Sequence, residues 1–184
     1  MTTSLRGHCL VASPSLKDPN FYRSVVLMVQ HDESGALGLI LNRPTGSSIR
    51  DIWEMVSSEP CACDSPIYLG GPVRGPLAAV HQDRDRSDLE VVDGLYYTVD
   101  EKSLGELLQS SADTYRIFVG YAGWAPGQLE SELEAGGWLT TPANRQEVFS
   151  EPARLWQTIS RRIGREFLQA TVKLKGGPED PSLN

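Results

Sequence analysis

Apolar residues in this chain fall in short dense runs, broken by glycine-, proline- and aspartate-rich turns and by stretches with helical spacing. Residues 9–12 follow Gly7 and predict a first strand. Within residues 24–30 (Ser-Val-Val-Leu-Met-Val-Gln), positions 25–29 are apolar in succession, the pattern of a strand covered on both faces. A polar turn at 31–35 leads into a second apolar run at 36–41, which predicts a hairpin closed off by Asn42-Arg43-Pro44. Ile49, Ile52, Trp53 and Val56 then recur at i, i+3, i+4 and i+7 after Ser47 or Ser48, predicting a capped amphipathic helix. Short strands are predicted at 67–69, 77–82, 89–92 and 95–99, the last two joined by Asp93-Gly94. Leu104, Leu107 and Leu108 predict a short helix after Ser103, and residues 115–120 a further strand. Pro126 suits the first turn of a helix that Gly136-Gly137 stops. A last helix begins at Ser150 and Pro152, turns Leu155, Trp156, Ile159 and Ile163 to one face, and is expected to stop at Gly164. Residues 167–174 then read as a strand or edge segment.

Hairpins mixed with helices, without strict strand–helix alternation, predict an α+β fold with a mixed, largely antiparallel sheet. No interdomain linker interrupts residues 1–175, which read as a single domain. The glycine- and proline-containing tail 176–184 is expected to be disordered.

Composition narrows the function classes. The 184 residues suit one domain, and 40% hydrophobic with 22% charged residues fits a folded chain. Acidic residues outnumber basic ones 24 to 17, for a formal charge of -7. That balance disfavours nucleic acid and anionic membrane surfaces as partners. No run approaches the roughly 20 apolar residues of a membrane span, and no signal-peptide pattern is read at the start, so a cytoplasmic setting is expected. Cys9, Cys61 and Cys63, an odd set without an export signal, do not suggest a disulfide framework.

Several constellations could carry chemistry. Gly70 and Gly71, with Pro72-Val73, could turn backbone N–H groups toward an anion, although a tight turn or close packing needs the same residues. Residues 120–128 read as a glycine-rich junction into a helix, with Gly123, Trp124 and Gln128 as binding candidates. Glu130 and Glu132 in the first turns would repel an anion there. His31 beside Asp32 and Glu33 is the one weak catalytic candidate, for an unrecognised hydrolase or transferase; no nucleophile elbow accompanies it. Asn42 can pin a turn, and Arg43 can clamp a carboxylate or make an internal ion pair. Cys61 and Cys63 lack the second pair that a zinc site requires, unless Cys9, His8 or His81 come near. Arg154, Arg161 and Arg165, with Arg162, Lys173 and Lys175 nearby, form a basic stripe that could touch DNA, but no base-reading motif accompanies it.

Four blocks in order and spacing resemble the YqgE/AlgH family of bacterial proteins. They are residues 7–31 with Ala12-Ser13-Pro14, Asp18-Pro19-x-Phe21 and His31; Gly35-Ala36-x-Gly38 through Asn42-Arg43-Pro44; Tyr68-Leu69-Gly70-Gly71-Pro72-Val73; and Gly120-Tyr121-Ala122-Gly123-Trp124-x-x-Gly127-Gln128-Leu129-Glu130-x-Glu132-Leu133. The resemblance implies a bent, partly barrel-like sheet flanked by helices. It implies no established reaction, and a role in transcriptional regulation has been suggested for some members; no cofactor is expected. The expectation is a non-enzymatic interaction or regulatory protein that binds a protein partner or small ligand near the two glycine segments.

Overall fold

Residues Val25 to Val29 are each at 0% exposure, and the fold is built outward from them on both sides. The computed structural model describes residues 3–56, 63–110 and 114–175. Within these, the chain runs β1 (His8–Ala12), β2 (Val25–Asp32), β3 (Gly35–Ile40), β4 (Pro44–Ser48), α1 (Ile49–Val56), β5 (Pro66–Leu69), β6 (Val73–His81), β7 (Leu89–Val92), β8 (Leu95–Thr98), α2 (Glu101–Gln109), β9 (Tyr115–Trp124), α3 (Gln128–Glu134), β10 (Trp138–Pro142), α4 (Arg145–Val148) and α5 (Pro152–Lys175). The Val56 side chain, Cys61, the Lys173 and Lys175 side chains and the tail 176–184 lie outside the described residues.

The main sheet path is β10-β1-β2-β3-β9-β6-β8-β7, with β4 and β5 joined through β9. Every described pairing is antiparallel except β5 beside β9. The α+β class and the largely antiparallel sheet are therefore as the sequence predicts. β9 is the branch point. β6 runs along one edge, from Val73 opposite Tyr121 to His81 opposite Tyr115. The other edge is shared between β5, at Phe118 and Val119, and β3, at Ala122 to Trp124. The end strands β10 and β7 do not pair, so the sheet stays open. It is nevertheless bent, because β7 curls back until Val91 O lies 2.9 Å from where a Gly7 Cβ would stand.

Three apolar clusters fill the layers. Cys9, Val11, Leu27, Leu39, Phe118, Leu155 and Ile159 pack inside the bend, under α4 and α5. On the outer face, Leu10, Val26, Met28, Trp124 and Trp138 meet Leu129 of α3. Further along, Ile67, Tyr115 and Ile117 meet Ile49, Leu104 and Leu107 of α1 and α2. With α3 over one face of the sheet and α4 and α5 over the other, the Val25–Val29 stretch of β2 has no solvent face, which explains its unbroken apolar run; Gln30 and Asp32 beyond it are exposed.

Ser48 N–H donates to the Asp51 carboxylate at 2.7 Å and Asp51 N–H returns to the Ser48 hydroxyl at 3.2 Å, a reciprocal cap for α1. Four expectations are corrected. α2 starts at Glu101 rather than after Ser103, because Asp100 accepts the Ser103 N–H at 2.9 Å. β9 continues through Gly120 to Trp124, where a glycine-rich turn was expected. α5 passes through Gly164, which does not adopt the positive φ of a stop, and continues where a strand was expected at 167–174. Arg162 and Glu166 straddle that glycine at 3.3 Å on good helix formers. Finally, β4, β10 and α4 occupy segments in which no element was predicted.

Candidate functional site

Glycines 70 and 71 meet β9 backbone to backbone. A Cβ on Gly70 would lie 2.2 Å from Gly120 O, and one on Gly71 would lie 2.2 Å from the Tyr121 carbonyl carbon. Gly70 N–H already donates to Val119 O at 2.9 Å, and Gly70 O accepts from Ile40 N–H at 2.8 Å. The glycine pair thus serves close approach, and the Gly70 N–H is not free to hold an anion.

Trp124 is 5% exposed. Its indole N–H donates to Glu132 Oε2 at 3.0 Å, and the Trp138 indole donates to the same oxygen at 2.8 Å. Gln128 donates to Glu132 Oε1 at 2.9 Å and accepts the Ala125 N–H at 3.0 Å. Phe21 stacks on Trp124 with its edge toward Trp138, completing an aromatic cluster. Glu132, expected to act as a repelling charge, instead ties α3 to β9 and β10.

His31 is buried, and both ring nitrogens are engaged. Nδ1 accepts the Leu5 N–H at 2.9 Å, so Nε2 carries the proton and donates to Glu130 at 2.9 Å. The Glu130 carboxyl is held below its usual range by its own backbone N–H and then by His31. A ring with its lone pair already occupied cannot accept a substrate proton, so this geometry does not serve general-base chemistry.

Asn42 accepts the Val25 N–H at 3.0 Å and donates to Arg23 O at 2.9 Å, pinning the corner after β3. Arg43 donates to the Tyr22 carbonyl. Among the described residues it makes no ion pair, contrary to the internal pair expected. Burial lowers its guanidinium pKa from the usual value.

Arg154, Arg161 and Arg165 are exposed along α5. Arg162 beside them is committed to Glu147 at 2.9 Å, Thr141 at 3.0 Å and Glu166 at 3.3 Å. Among the described residues no group of three or more His, Cys, Asp or Glu side chains could hold a metal. Cys9 is fully buried, and burial, then Glu147, pushes its thiol up to about 12 against a smaller opposing effect of Arg162. Burial also raises the Cys63 thiol, but hydrogen bonds from Tyr115 and Ser65 outweigh this and leave it lowered.

Two concavities bear on binding. A shallow cleft of about 360 Å³ lies over β2, β3 and β9, lined by Gln30, Asp32, Val73, Tyr121, Gly123 and Trp124. A larger groove of about 530 Å³ lies between α1, α2 and the sheet, walled by Ile52, Trp53, Leu77, Val99, Leu104 and Leu108, with Glu101 as its charged lining residue. The structure brings Gly123 and Trp124 to the cleft and sets Gly70 and Gly71 against the same strand. Gln128 is used in the α3 cap, and Asn42 and Arg43 stand at another corner. None of these seven lines the groove. Its walls carry a sequence signal, the apolar stripes of α1 and α2, but helical spacing alone does not show that part of each stripe stays uncovered. Ile52, Trp53 and Leu108 are only partly buried, so the stripes outrun the surface they cover.

The family model described as AlgH-like matches residues 9–168. The UPF0301 protein of Streptomyces avermitilis is 40% identical over 194 residues, spanning 99% of this chain and 96% of its own. That of Myxococcus xanthus is 42% identical over 160 residues, 84% of this chain and 88% of its own. The solution structure of the AlgH protein from Pseudomonas aeruginosa is similar with a TM-score of 0.75 at 30% identity, over 98% of both chains. A crystal structure from Corynebacterium diphtheriae is similar with a TM-score of 0.71 at 28% identity, over 88% of both chains.

Proposed function

This chain belongs to the AlgH-like family, and we propose that it is a non-enzymatic binding protein of the cytoplasm whose regulatory or interaction role depends on a small apolar ligand held between α1 and α2. The observation that carries this reading is the groove itself. At about 530 Å³ it falls among small-molecule sites, which run to roughly 300–1,000 Å³. Its wall combines aliphatic side chains with the Trp53 indole, and its one described ionisable lining group is Glu101. Such a wall offers burial of apolar surface and an orienting carboxylate, and no nucleophile paired with a base. The engaged ring of His31 also favours binding over catalysis. No described helix is long and apolar enough to cross a membrane. In this reading, occupancy changes how α1 and α2 stand on the sheet, and a partner protein distinguishes the two states.

Gly105 provides the test. A Cβ there would meet only Trp53 Cη2, at 3.8 Å, so a longer side chain can enter the groove without striking backbone. The wild-type protein is expected to bind the neutral fluorophore N-phenyl-1-naphthylamine saturably, with quenching of Trp53. Gly105→Leu should retain the fold, measured by thermal melting, and bind at least about tenfold more weakly, a difference of about 1.4 kcal/mol. Equal binding by the two proteins, or no saturable binding by the wild type, removes the groove as the site.

A further inference from the structure

Arg116 lies on β9, 7% exposed, in the lining of a cavity of about 240 Å³. Its guanidinium donates to Leu41 O at 3.1 Å and to the Ser150 carbonyl, and stands 4.7 Å over the Tyr68 ring. Among the described residues no carboxylate forms an ion pair with it. The contrast is with Arg162, which is less buried and has two glutamates. Glu151 acts on Arg116 only from longer range, its carboxylate accepting the Ala153 N–H. Burial lowers the Arg116 pKa, with Tyr68 and Glu151 opposing, yet arginine stays protonated at neutral pH. A buried cation without a counter-charge is costly, so proteins normally pair it.

The cavity supplies the place for that counter-charge. Tyr68, Ser65 and Tyr115 line it beside Arg116, with Ile49 and Phe149 as apolar walls. The Tyr68 hydroxyl makes no hydrogen bond to the described residues, and the guanidinium has five N–H groups of which two are used on carbonyls. At roughly 30 Å³ per water, the space holds about eight water volumes, enough for an anionic group and a few further atoms. We propose that this cavity binds a small oxyanion, the carboxylate or phosphate group of a metabolite, on Arg116 with the Tyr68 hydroxyl as second donor. The site is distinct from the groove. Arg116 and Phe118 belong to the inner side of β9, whereas Ile117 faces α1 and α2, and Ile49 is the one lining residue common to both cavities.

The test is titration of the full chain with inorganic phosphate and, separately, with succinate, following the arginine Nε–H signals by NMR and using sodium chloride as the ionic-strength control. The expected result is a saturable shift of the Arg116 signal with a dissociation constant in the millimolar range or tighter. Response to phosphate alone assigns a phosphate ligand; response to succinate alone assigns a carboxylate. Tyr68→Phe keeps the ring under the guanidinium and should weaken binding about tenfold, as loss of a hydrogen bond to a charged group does. Arg116→Gln should abolish binding; if it fails to fold, the wild-type shift and Tyr68→Phe still decide. Shifts matched by sodium chloride, or binding unchanged in Tyr68→Phe and Arg116→Gln, overturn the site.

Discussion

Glu132 shows how a single residue can be conspicuous in a motif and misread in role. One of its oxygens accepts two indole N–H groups and the other accepts Gln128, so three side chains from β9, α3 and β10 meet on one carboxylate. Replacing it with leucine leaves two indole N–H groups unpaired inside an aromatic cluster. Glu132→Leu is expected to lose about 2–4 kcal/mol of stability in urea denaturation, from two donors at about 1–2 kcal/mol each. A loss under about 0.5 kcal/mol would mean that water replaces the carboxylate at no cost. The residues of this cluster were all visible in the sequence. Their partners were not, because Trp138 reaches Glu132 only after α3 folds back over the sheet.

At the scale of elements, strands and helices with two apolar neighbours were legible and those without were not. β2 and β3 announce themselves through side chains buried on both faces. β4 is Pro-Thr-Gly-Ser-Ser, and it is a strand only because it pairs with β5, Pro44 opposite Tyr68 and Ser48 opposite Pro66. The end of α5 was misplaced for a related reason. Gly164 reads as a stop along the chain, but the helix continues through it, with the Arg162–Glu166 pair spanning the glycine. The space around Gly164 is empty where a Cβ would go, so Gly164→Ala adds a methyl without a clash. It should stabilise the protein by about 0.5–1 kcal/mol through helix propensity, raising the midpoint of thermal unfolding by about 1–4 °C. A lowered midpoint would show that the helix needs the glycine there.

The whole molecule is closed by contacts between its two ends. His8 pairs with Pro142, and the Trp156 indole donates to Ala12 O at 2.8 Å, so β1 is held by residues from the far end of the chain. Cys9 sits in that strand at 0% exposure with its thiol pushed up to about 12. In a Cys61→Ser, Cys63→Ser background, Cys9 should react with a thiol reagent only through global unfolding. The opening free energy from labelling rates should then match that from urea denaturation. Labelling much faster than this would reveal that β1 opens by itself. Most of the elements and the family could be read along the chain, whereas the groove could not, since it exists only where α1 and α2 stand apart above the sheet. Beneath both cavities runs β9, fastened to the end of β5 where Gly70 and Gly71 press on Gly120 and Tyr121 with no side chain between them. A joint made of main chain alone keeps its spacing whatever amino acids surround it. The walls of either cavity can therefore diverge among relatives, tuning what is held, while the frame that sets their distance stays the same.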